Sequence, residues 1–345
     1  MSNIIANIPY FIMAMLAFSL LIIIHELGHF ILCKLNGVKV SEFSLGMGPK
    51  IFGIKGKETE YLIKAFPIGG YVKMEGEDGE SNDPRSFTNK TPGQKLSIVS
   101  AGAIMNLILA VVLFAMVGAS KGYILPIIGE LVPNSPAMKA GIQVGDEITK
   151  INKTKIDRWD QVQNEIFVSK GESMDIEIVR NSKVEKITLK PIKNVKEKLF
   201  FVGVSPSMVE KKMNPGKAVI YGFDQIGNTV KQIFEFFGNV FHGKVSANDV
   251  GGPISIIRFS GKAAQAGITT LMYFTALMSV QLGIFNIIPF PALDGGWIFM
   301  LLFEIISGKK LDDNKVATIN YIGFMFLMAF MVLVVIKDIV SPLKF

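Results

Sequence analysis

Four long stretches without a charged residue most constrain how this chain of 345 residues can fold. They are residues 1–24, 96–120, 263–293 and 316–336. A helix needs about 20 apolar residues to cross the hydrocarbon core of a bilayer, so each stretch is long enough to span it. Half of all residues are hydrophobic, and the mean hydropathy is +0.41. The sequence therefore predicts a polytopic α-helical membrane protein with about four transmembrane helices.

The first and third stretches differ in regularity. Residues 6–34 predict one continuous helix, which we expect to be retained because it has no basic start and no small-residue cleavage site typical of a signal peptide. The third stretch contains glycines and prolines, among them Pro289 and Pro291. Broken segments at membrane depth are tolerated only where they line a cavity or pack on protein. We therefore expect the third helix to be interrupted.

Two further elements are predicted outside these stretches. Alternating residues at 60–66, followed by Pro67-Ile68-Gly69-Gly70 and by residues 71–74, predict a membrane-associated β-hairpin with its turn at 67–70. Apolar residues at helical spacing between 217 and 242 predict an amphipathic helix, which could lie on the membrane surface.

The middle of the chain has the composition of a soluble domain with short strands. Asn134-Ser135-Pro136-Ala137 and Gly141-Ile142-Gln143-Val144-Gly145-Asp146 look like a PDZ domain, a fold that typically receives an extended peptide along a sheet edge. A simple spacer is the alternative. The predicted organisation is an N-terminal membrane core (1–121), an inserted PDZ-like α/β domain (122–200), an amphipathic helical linker (201–262) and a C-terminal membrane core (263–345).

The run His25-Glu26-Leu27-Gly28-His29 follows directly on the first uncharged stretch. This spacing places two imidazoles one helical turn apart on a single face, where both can reach one metal ion. Glu26 projects toward the same metal and can take a proton from bound water. Ionisable residues in a membrane segment are costly and tend to be functional, which argues against three merely solvated side chains at a helix end.

Catalytic zinc usually takes three protein ligands, so a third must come from elsewhere. His242 is the one remaining histidine of the chain. Cys33 lies on the face of His25, but three ligands from one straight helix would not converge, so we expect Cys33 to pack. Asp294 is an isolated acid in a long apolar stretch, and a metal would compensate for its burial. The spacing favours Asp294 among these candidates.

Together with the first motif, the sequence Asn286-Ile287-Ile288-Pro289-Phe290-Pro291-Ala292-Leu293-Asp294-Gly295-Gly296 closely resembles the site-two protease family of intramembrane zinc metalloproteases. The resemblance implies a zinc site with His25, His29 and Asp294 as ligands and Glu26 as the general base. It extends over most of the chain, because residues 69–74 and 251–254 also look like family signatures.

Four residues are candidates for contact with substrate. Asn286 is either a helix-breaking or interhelical amide or, as the resemblance implies, a substrate-backbone or oxyanion contact. Asn106 resembles a family position, although Ala103 replaces the usual proline after Gly102, so its role is either helix packing or substrate contact. Gly70 and Tyr71 belong to the predicted hairpin, which we expect to pair with an unwound substrate segment.

Other functions are less consistent with these residues. A transporter could also carry intramembrane His, Glu and Asp, but it would normally show internal repeats, and none is visible. A scaffold that only presents the PDZ-like domain would not require His25, Glu26 and His29 at this spacing. The formal net charge of +7 does not indicate nucleic-acid binding, because the lysines are scattered among acids. The expected partners are the lipid bilayer and single-span membrane proteins.

The resemblance implies regulated intramembrane proteolysis in the plasma membrane of a bacterium. Its substrates would be membrane-anchored proteins such as anti-sigma factors, or the remnants of signal peptides. Lysines and arginines near membrane ends favour the cytoplasm. Their placement predicts that the active site lies toward the cytoplasm and that the PDZ-like domain is extracytoplasmic.

Overall fold

A computed structural model describes residues 2–77, 81–193, 200–243, 251–309 and 311–341. The chain divides into two compact units. One combines Met1–Phe114 with Tyr221–Phe345, and the other consists of Ala115–Ile220. The candidate site lies entirely in the first unit.

Helices dominate the first unit, and the described part of the second contains two short ones together with the ends of two longer ones. In chain order the helices are α1 (Ser2–Leu35), α2 (Pro92–Lys121), α3 (Pro136–Lys139), α4 (Trp159–Val168), α5 (Pro215–Phe241), α6 (Pro253–Gln265), α7 (Ile268–Ile287), α8 (Asp294–Ser307) and α9 (Asp313–Val340).

Four of these helices are long and apolar enough to cross a membrane. The candidate spans are Ile8–Leu35 in α1, Pro92–Lys121 in α2, Ile268–Ile287 in α7 and Lys315–Val340 in α9. The prediction of about four transmembrane helices is confirmed. The third is interrupted as expected, because α7 ends at Ile287 and a separate helix, α8, begins at Asp294.

A β-hairpin packs against α1. Its strands are β1 (Val40–Lys55) and β2 (Glu60–Met74), joined by a turn at residues 56–59 in which Gly56 donates to the Thr59 carbonyl at 2.9 Å. The hairpin is confirmed, but the prediction of a turn at residues 67–70 is wrong.

The two segments flanking the predicted turn do not pair with each other. Both lie in β2, and residues 42–45 of β1 lie between them, so that Phe43 pairs with Val72 and also with Tyr61. Gly69 has a φ of +93° and produces an irregularity within β2 rather than a reversal to a neighbouring strand. The local sequence indicates the bend at Gly69. It does not show that residues 42–45 of β1 lie between the two parts of β2 on either side of this bend.

The second unit contains ten short strands in its described part. They are β3 (Tyr123–Ile124), β4 (Ile128–Leu131), β5 (Glu147–Ile151), β6 (Thr154–Lys155), β7 (Met174–Arg180), β8 (Lys183–Leu189), β9 (Ile192–Lys193), β10 (Phe200–Phe201), β11 (Val204–Pro206) and β12 (Glu210–Lys211). A four-stranded sheet has the order β6-β5-β7-β8, while β4 pairs with β11 and β3 with β12. Strand pairing thus continues beyond residue 200, where the sequence placed the end of the domain.

The core of the second unit follows from alternation along its strands. Met174, Ile176 and Ile178 of β7 are buried and pack with Ile148 of β5 and Trp159 of α4. Every second residue of β7 faces this core, as the twofold period of a strand requires.

One ion pair ties the polar loop before β5 to the sheet. Asp146, 1% exposed, accepts two hydrogen bonds from the Arg180 guanidinium at 2.6 and 2.7 Å. Burial opposes ionisation of Asp146, but these bonds and the Gln143 amide outweigh it and hold the pKa of the carboxyl below its usual range. The charged pair is therefore part of the folded unit.

Candidate active site

Helix α1 presents His25 and His29 on one face, as the spacing predicts. Their Nε2 atoms are 3.2 Å apart. Both residues lie within the candidate span Ile8–Leu35, near its C-terminal end. The intervening Gly28 faces α2, where a Cβ atom would come within 2.4 Å of the Ala101 carbonyl oxygen. A side chain at this position would force α2 away from the histidines.

Asp294 reaches the histidines from the first residue of α8. Its Oδ2 atom is 3.3 Å from His25 Nε2 and 3.5 Å from His29 Nε2. The third ligand predicted from the sequence and the family resemblance thus lies beside the other two, although 265 residues separate Asp294 from His29 in the chain.

The sequence around Asp294 folds tightly enough to place it there. Pro289 and Pro291 disfavour continuation of α7, and the chain crosses to α8 through an extended Leu293. Gly295 and Gly296, which follow Asp294, let the backbone of residues 288–290 pack directly against the first turn of α8. A Cβ atom on Gly295 would be 1.9 Å from the Ile288 carbonyl oxygen, and one on Gly296 would be 2.6 Å from that of Phe290.

The three side chains fit a zinc ion. Their candidate ligand atoms all lie within 4.8 Å of one another. Asp294 Oδ2 is buried and has no hydrogen-bond partner among the residues that the structure describes, so it is available to a cation. His29 Nδ1 lies 2.9 Å from the Ile98 carbonyl oxygen, a contact that directs Nε2 toward the other two side chains. Two imidazoles and one carboxylate form a donor set typical of catalytic zinc and leave a position for water or substrate.

Glu26 lines a cavity of about 220 Å³ that includes the three candidate ligands. Gly70 of β2 lies beside this acid, because a Cβ atom there would be 3.2 Å from Glu26 Cγ. The remaining lining residues come from β2, from the segment after it, and from α2 and α8: Tyr71, Val72, Met74, Glu77, Phe87, Val99 and Trp297. The cavity provides room for water or substrate next to an acid and three potential ligands.

The candidates for substrate contact are distributed unequally around this cavity. Tyr71 lines it, and the Tyr71 hydroxyl donates to Glu42 and accepts from Lys64 Nζ at 2.7 Å. Asn286 is half-buried in the last turn of α7 and is not among the lining residues. Asn106 is fully buried next to His25.

The other two candidates for the third ligand are not part of the candidate metal cluster found among the described residues. His242 is exposed just after α5, with Nδ1 2.6 Å from the Gly238 carbonyl oxygen. Cys33 is fully buried in an apolar cluster with Val38 and Val40. Cys33 packs, as expected, and Asp294 is the candidate that joins the two histidines.

Gly102 of α2 was not identified from the sequence as part of the site. A Cβ atom on it would lie 2.4 Å from His29 Nε2 and 2.6 Å from His25 Cε1. The available signal was its place in the run Ser100-Ala101-Gly102-Ala103, since small residues permit close approach of membrane helices. That signal indicates close packing but does not identify what is packed against the glycine.

The sequence pattern of peptidase family M50 matches residues 13–330. The chain belongs to this family. A protein of Clostridium acetobutylicum named as a zinc metalloprotease is 49% identical, and the match covers 97% of this chain and 98% of that protein. The zinc metalloprotease RasP of Geobacillus kaustophilus is 29% identical, with 93% and 96% covered. The regulator of sigma-W protease RasP of Bacillus subtilis is 28% identical, with the same coverage.

A solved PDZ domain of an SdrC-like protein from Listeria monocytogenes is 18% identical to part of the chain. The match covers 23% of this chain and 84% of that one, with a TM-score of 0.22.

Membership of peptidase family M50 confirms the resemblance to site-two proteases. The chain is a zinc metalloprotease and a multi-pass membrane protein. The transporter and scaffold alternatives are thereby set aside.

Proposed function

We propose that this M50 protease hydrolyses peptide bonds within the membrane segments of single-span membrane proteins. The observation that carries the proposal is the position of His25, Glu26 and His29 inside the candidate span Ile8–Leu35. A metal site on a membrane-spanning helix is suited to a substrate that is itself in the membrane.

The proposal assigns His25, His29 and Asp294 as zinc ligands and Glu26 as the general base. Zinc, when bound, lowers the pKa of coordinated water to about 7 and polarises a carbonyl oxygen. Glu26 accepts a proton from the attacking water and then donates it to the nitrogen of the leaving amide. The cavity beside Glu26 supports this assignment, because it leaves space for the water and the scissile bond.

A membrane helix must be locally extended before its peptide bonds can be attacked. We assign the β1–β2 hairpin to this task, since strand addition satisfies the backbone groups that unwinding exposes. Gly70 and Tyr71 would contact the extended segment, because both lie next to Glu26 or the cavity. The family resemblance assigns Asn286 a contact with the substrate backbone or oxyanion.

The proposed substrates are anti-sigma factors and remnants of signal peptides. Support for the first class comes from the name of the Bacillus subtilis relative, a regulator of sigma-W protease. The proposed location is a bacterial plasma membrane, with the zinc site toward the cytoplasm and the PDZ-like domain outside. In that position the PDZ-like domain would screen substrates before they reach the zinc site.

Substitution of Glu26 tests the proposal. Glu26→Gln retains the shape of the side chain but cannot accept a proton, so we expect zinc to be retained and cleavage to fall about 10²–10⁴-fold. The assay uses the full chain in detergent or liposomes with a single-span anti-sigma factor, and mass spectrometry locates the cut. Exposed Glu172 in the second unit provides the matched control, Glu172→Gln. A fully active Glu26→Gln enzyme, or a cut outside the membrane segment, would contradict the proposal.

A further inference from the structure

One face of α2 contacts both histidines through residues spaced four apart. The Ile98 carbonyl oxygen lies 2.9 Å from His29 Nδ1, and the side-chain nitrogen of Asn106 lies 3.2 Å from His25 Nδ1. Gly102 occupies the midpoint, where even a Cβ atom would collide with the imidazoles. Residues at this spacing form one stripe along a helix. Each histidine therefore has its own partner on α2, on the ring nitrogen opposite the one facing Asp294.

Asn106 is held in this position by burial and by a hydrogen bond to its backbone. Its side chain is fully buried, and its Oδ1 atom is buried with no hydrogen-bond partner in the described part of the chain. Ser279 of α7 donates to the Asn106 backbone carbonyl at 2.7 Å, which fixes the turn of α2 that carries the amide. A buried amide oxygen without a donor is costly, so its presence beside a histidine requires an explanation.

The chemistry of a metal-binding histidine explains why an amide lies beside His25. A neutral imidazole that coordinates through Nε2 carries its proton on Nδ1 and must donate from there. The amide nitrogen of Asn106 also only donates, so it cannot accept this hydrogen. The two ends of an asparagine amide are distinguished by their hydrogen-bond partners, and turning the amide over places Oδ1 where it can accept from His25.

We infer that Asn106 positions His25 for zinc, with its amide oxygen accepting a hydrogen bond from His25 Nδ1–H. This inference rests on the proposed zinc ligands. It assigns Asn106 to the second coordination sphere rather than to the substrate. The arrangement fixes the tautomer and ring orientation of His25, as the Ile98 carbonyl does for His29.

The test measures zinc affinity of the full-length protein in detergent by competition with a chromophoric chelator. Asn106→Leu keeps the branched shape of the side chain but has no acceptor, and we expect it to raise the zinc dissociation constant about 10–100-fold. Asn106→Asp retains an oxygen acceptor and should bind zinc close to normally. Thr275→Ala, which removes a buried hydrogen bond to the Leu271 carbonyl oxygen of its own helix, is the matched control and should leave zinc affinity unchanged.

Two further measurements separate positioning from general damage and from failure of the proposed ligands. The Tm of Asn106→Leu in EDTA should match that of the unsubstituted protein, whereas its increase on adding zinc should shrink. His25→Ala should lose zinc binding. If His25→Ala binds zinc normally, the proposed ligands are wrong.

If His25→Ala loses zinc but Asn106→Leu does not, the ligand assignment stands and the positioning role is overturned. A raised KM with unchanged zinc affinity in Asn106→Leu would likewise overturn it, in favour of substrate contact. Equal loss of affinity in Asn106→Leu and Asn106→Asp would also contradict the role of the acceptor.

Discussion

Gly102 lies so close to His29 that a Cβ atom on the glycine would be 2.4 Å from the imidazole Nε2. In α1, a Cβ atom on Gly28 would likewise be 2.4 Å from the Ala101 carbonyl oxygen of α2. The two glycines permit α1 and α2 to cross at the metal site, because small residues let helix backbones approach closely. The geometry of the site therefore requires glycine at both positions, 28 and 102.

We expect Gly102→Ala to weaken zinc binding by at least about 10-fold, since the added methyl group would displace one or both imidazoles. The overpacking should also destabilise the fold by about 1–3 kcal/mol. Zinc content and the apparent Tm in detergent measure these effects. Gly93→Ala is the control in the same helix, because a Cβ atom at Gly93 would meet no described atom within 4 Å. Equal zinc contents of the two variants would contradict the proposed steric role.

Asp294 should be required for zinc to bind. Asp294→Ala removes the carboxylate, and the two remaining imidazoles do not complete the usual three-ligand site. We expect zinc content after gel filtration to fall to a small fraction of the normal value, together with activity. Glu304→Ala alters an acid in the same helix outside the candidate metal cluster and should retain zinc. Retention of stoichiometric zinc by Asp294→Ala would show that the third ligand lies elsewhere.

The histidines could be predicted from the sequence because their relationship is local. A spacing of four residues places His25 and His29 together in any α-helix, whatever the rest of the chain does. Asp294 is different, since nothing local relates it to α1. Its assignment depended on its isolation in an apolar stretch and on the family resemblance, and the structure brings it within 3.5 Å of both histidines.

Other features could not be predicted because they depend on which segments become neighbours. The residues around Gly69 have turn chemistry, but the register of β2 is set by residues 42–45, which lie between its two ends. Gly102 is one of several small residues in α2, and only the position of α1 distinguishes it from a glycine that merely packs. The direction of the Asn106 side chain similarly depends on where His25 lies.

Tyr71 provides a test of substrate binding that leaves the metal site intact. Tyr71 lines the cavity, and its hydroxyl is engaged by Glu42 and Lys64. We expect Tyr71→Ala to raise KM for the membrane substrate by about 10-fold or more, because loss of a buried aromatic contact typically costs more than about 1 kcal/mol. Zinc affinity should not change.

Tyr71→Phe retains the ring and separates its contribution from that of the hydroxyl. We expect its KM to stay close to normal. If both variants raise KM equally, the hydroxyl network with Glu42 and Lys64 is responsible rather than the ring. Unchanged kinetics in Tyr71→Ala would remove Tyr71 from the proposed substrate contacts.

The Asp146–Arg180 pair should make the second unit sensitive to acid. The folded pKa of Asp146 lies below its usual value, so the stabilisation is fully present above the ordinary pKa of about 3.9. It is lost as the pH falls through the lower, folded pKa, where the carboxylate is protonated. Asp146→Asn mimics the protonated state at every pH and should destabilise the unit at pH 7 by about 1.5–3 kcal/mol.

Hydrogen exchange of the β5 and β7 amides in the full chain measures this effect. We expect faster exchange in Asp146→Asn than in the unsubstituted protein at pH 7, and we expect the difference in opening free energy to vanish below the folded pKa. Asp157 is exposed and pairs with Lys155 at the surface, so Asp157→Asn should exchange normally throughout. If the difference in opening free energy between Asp146→Asn and the unsubstituted protein stays the same below the folded pKa, the prediction is contradicted. Protonation of Asp146 would then have no effect on stability, and the variant would act through altered packing.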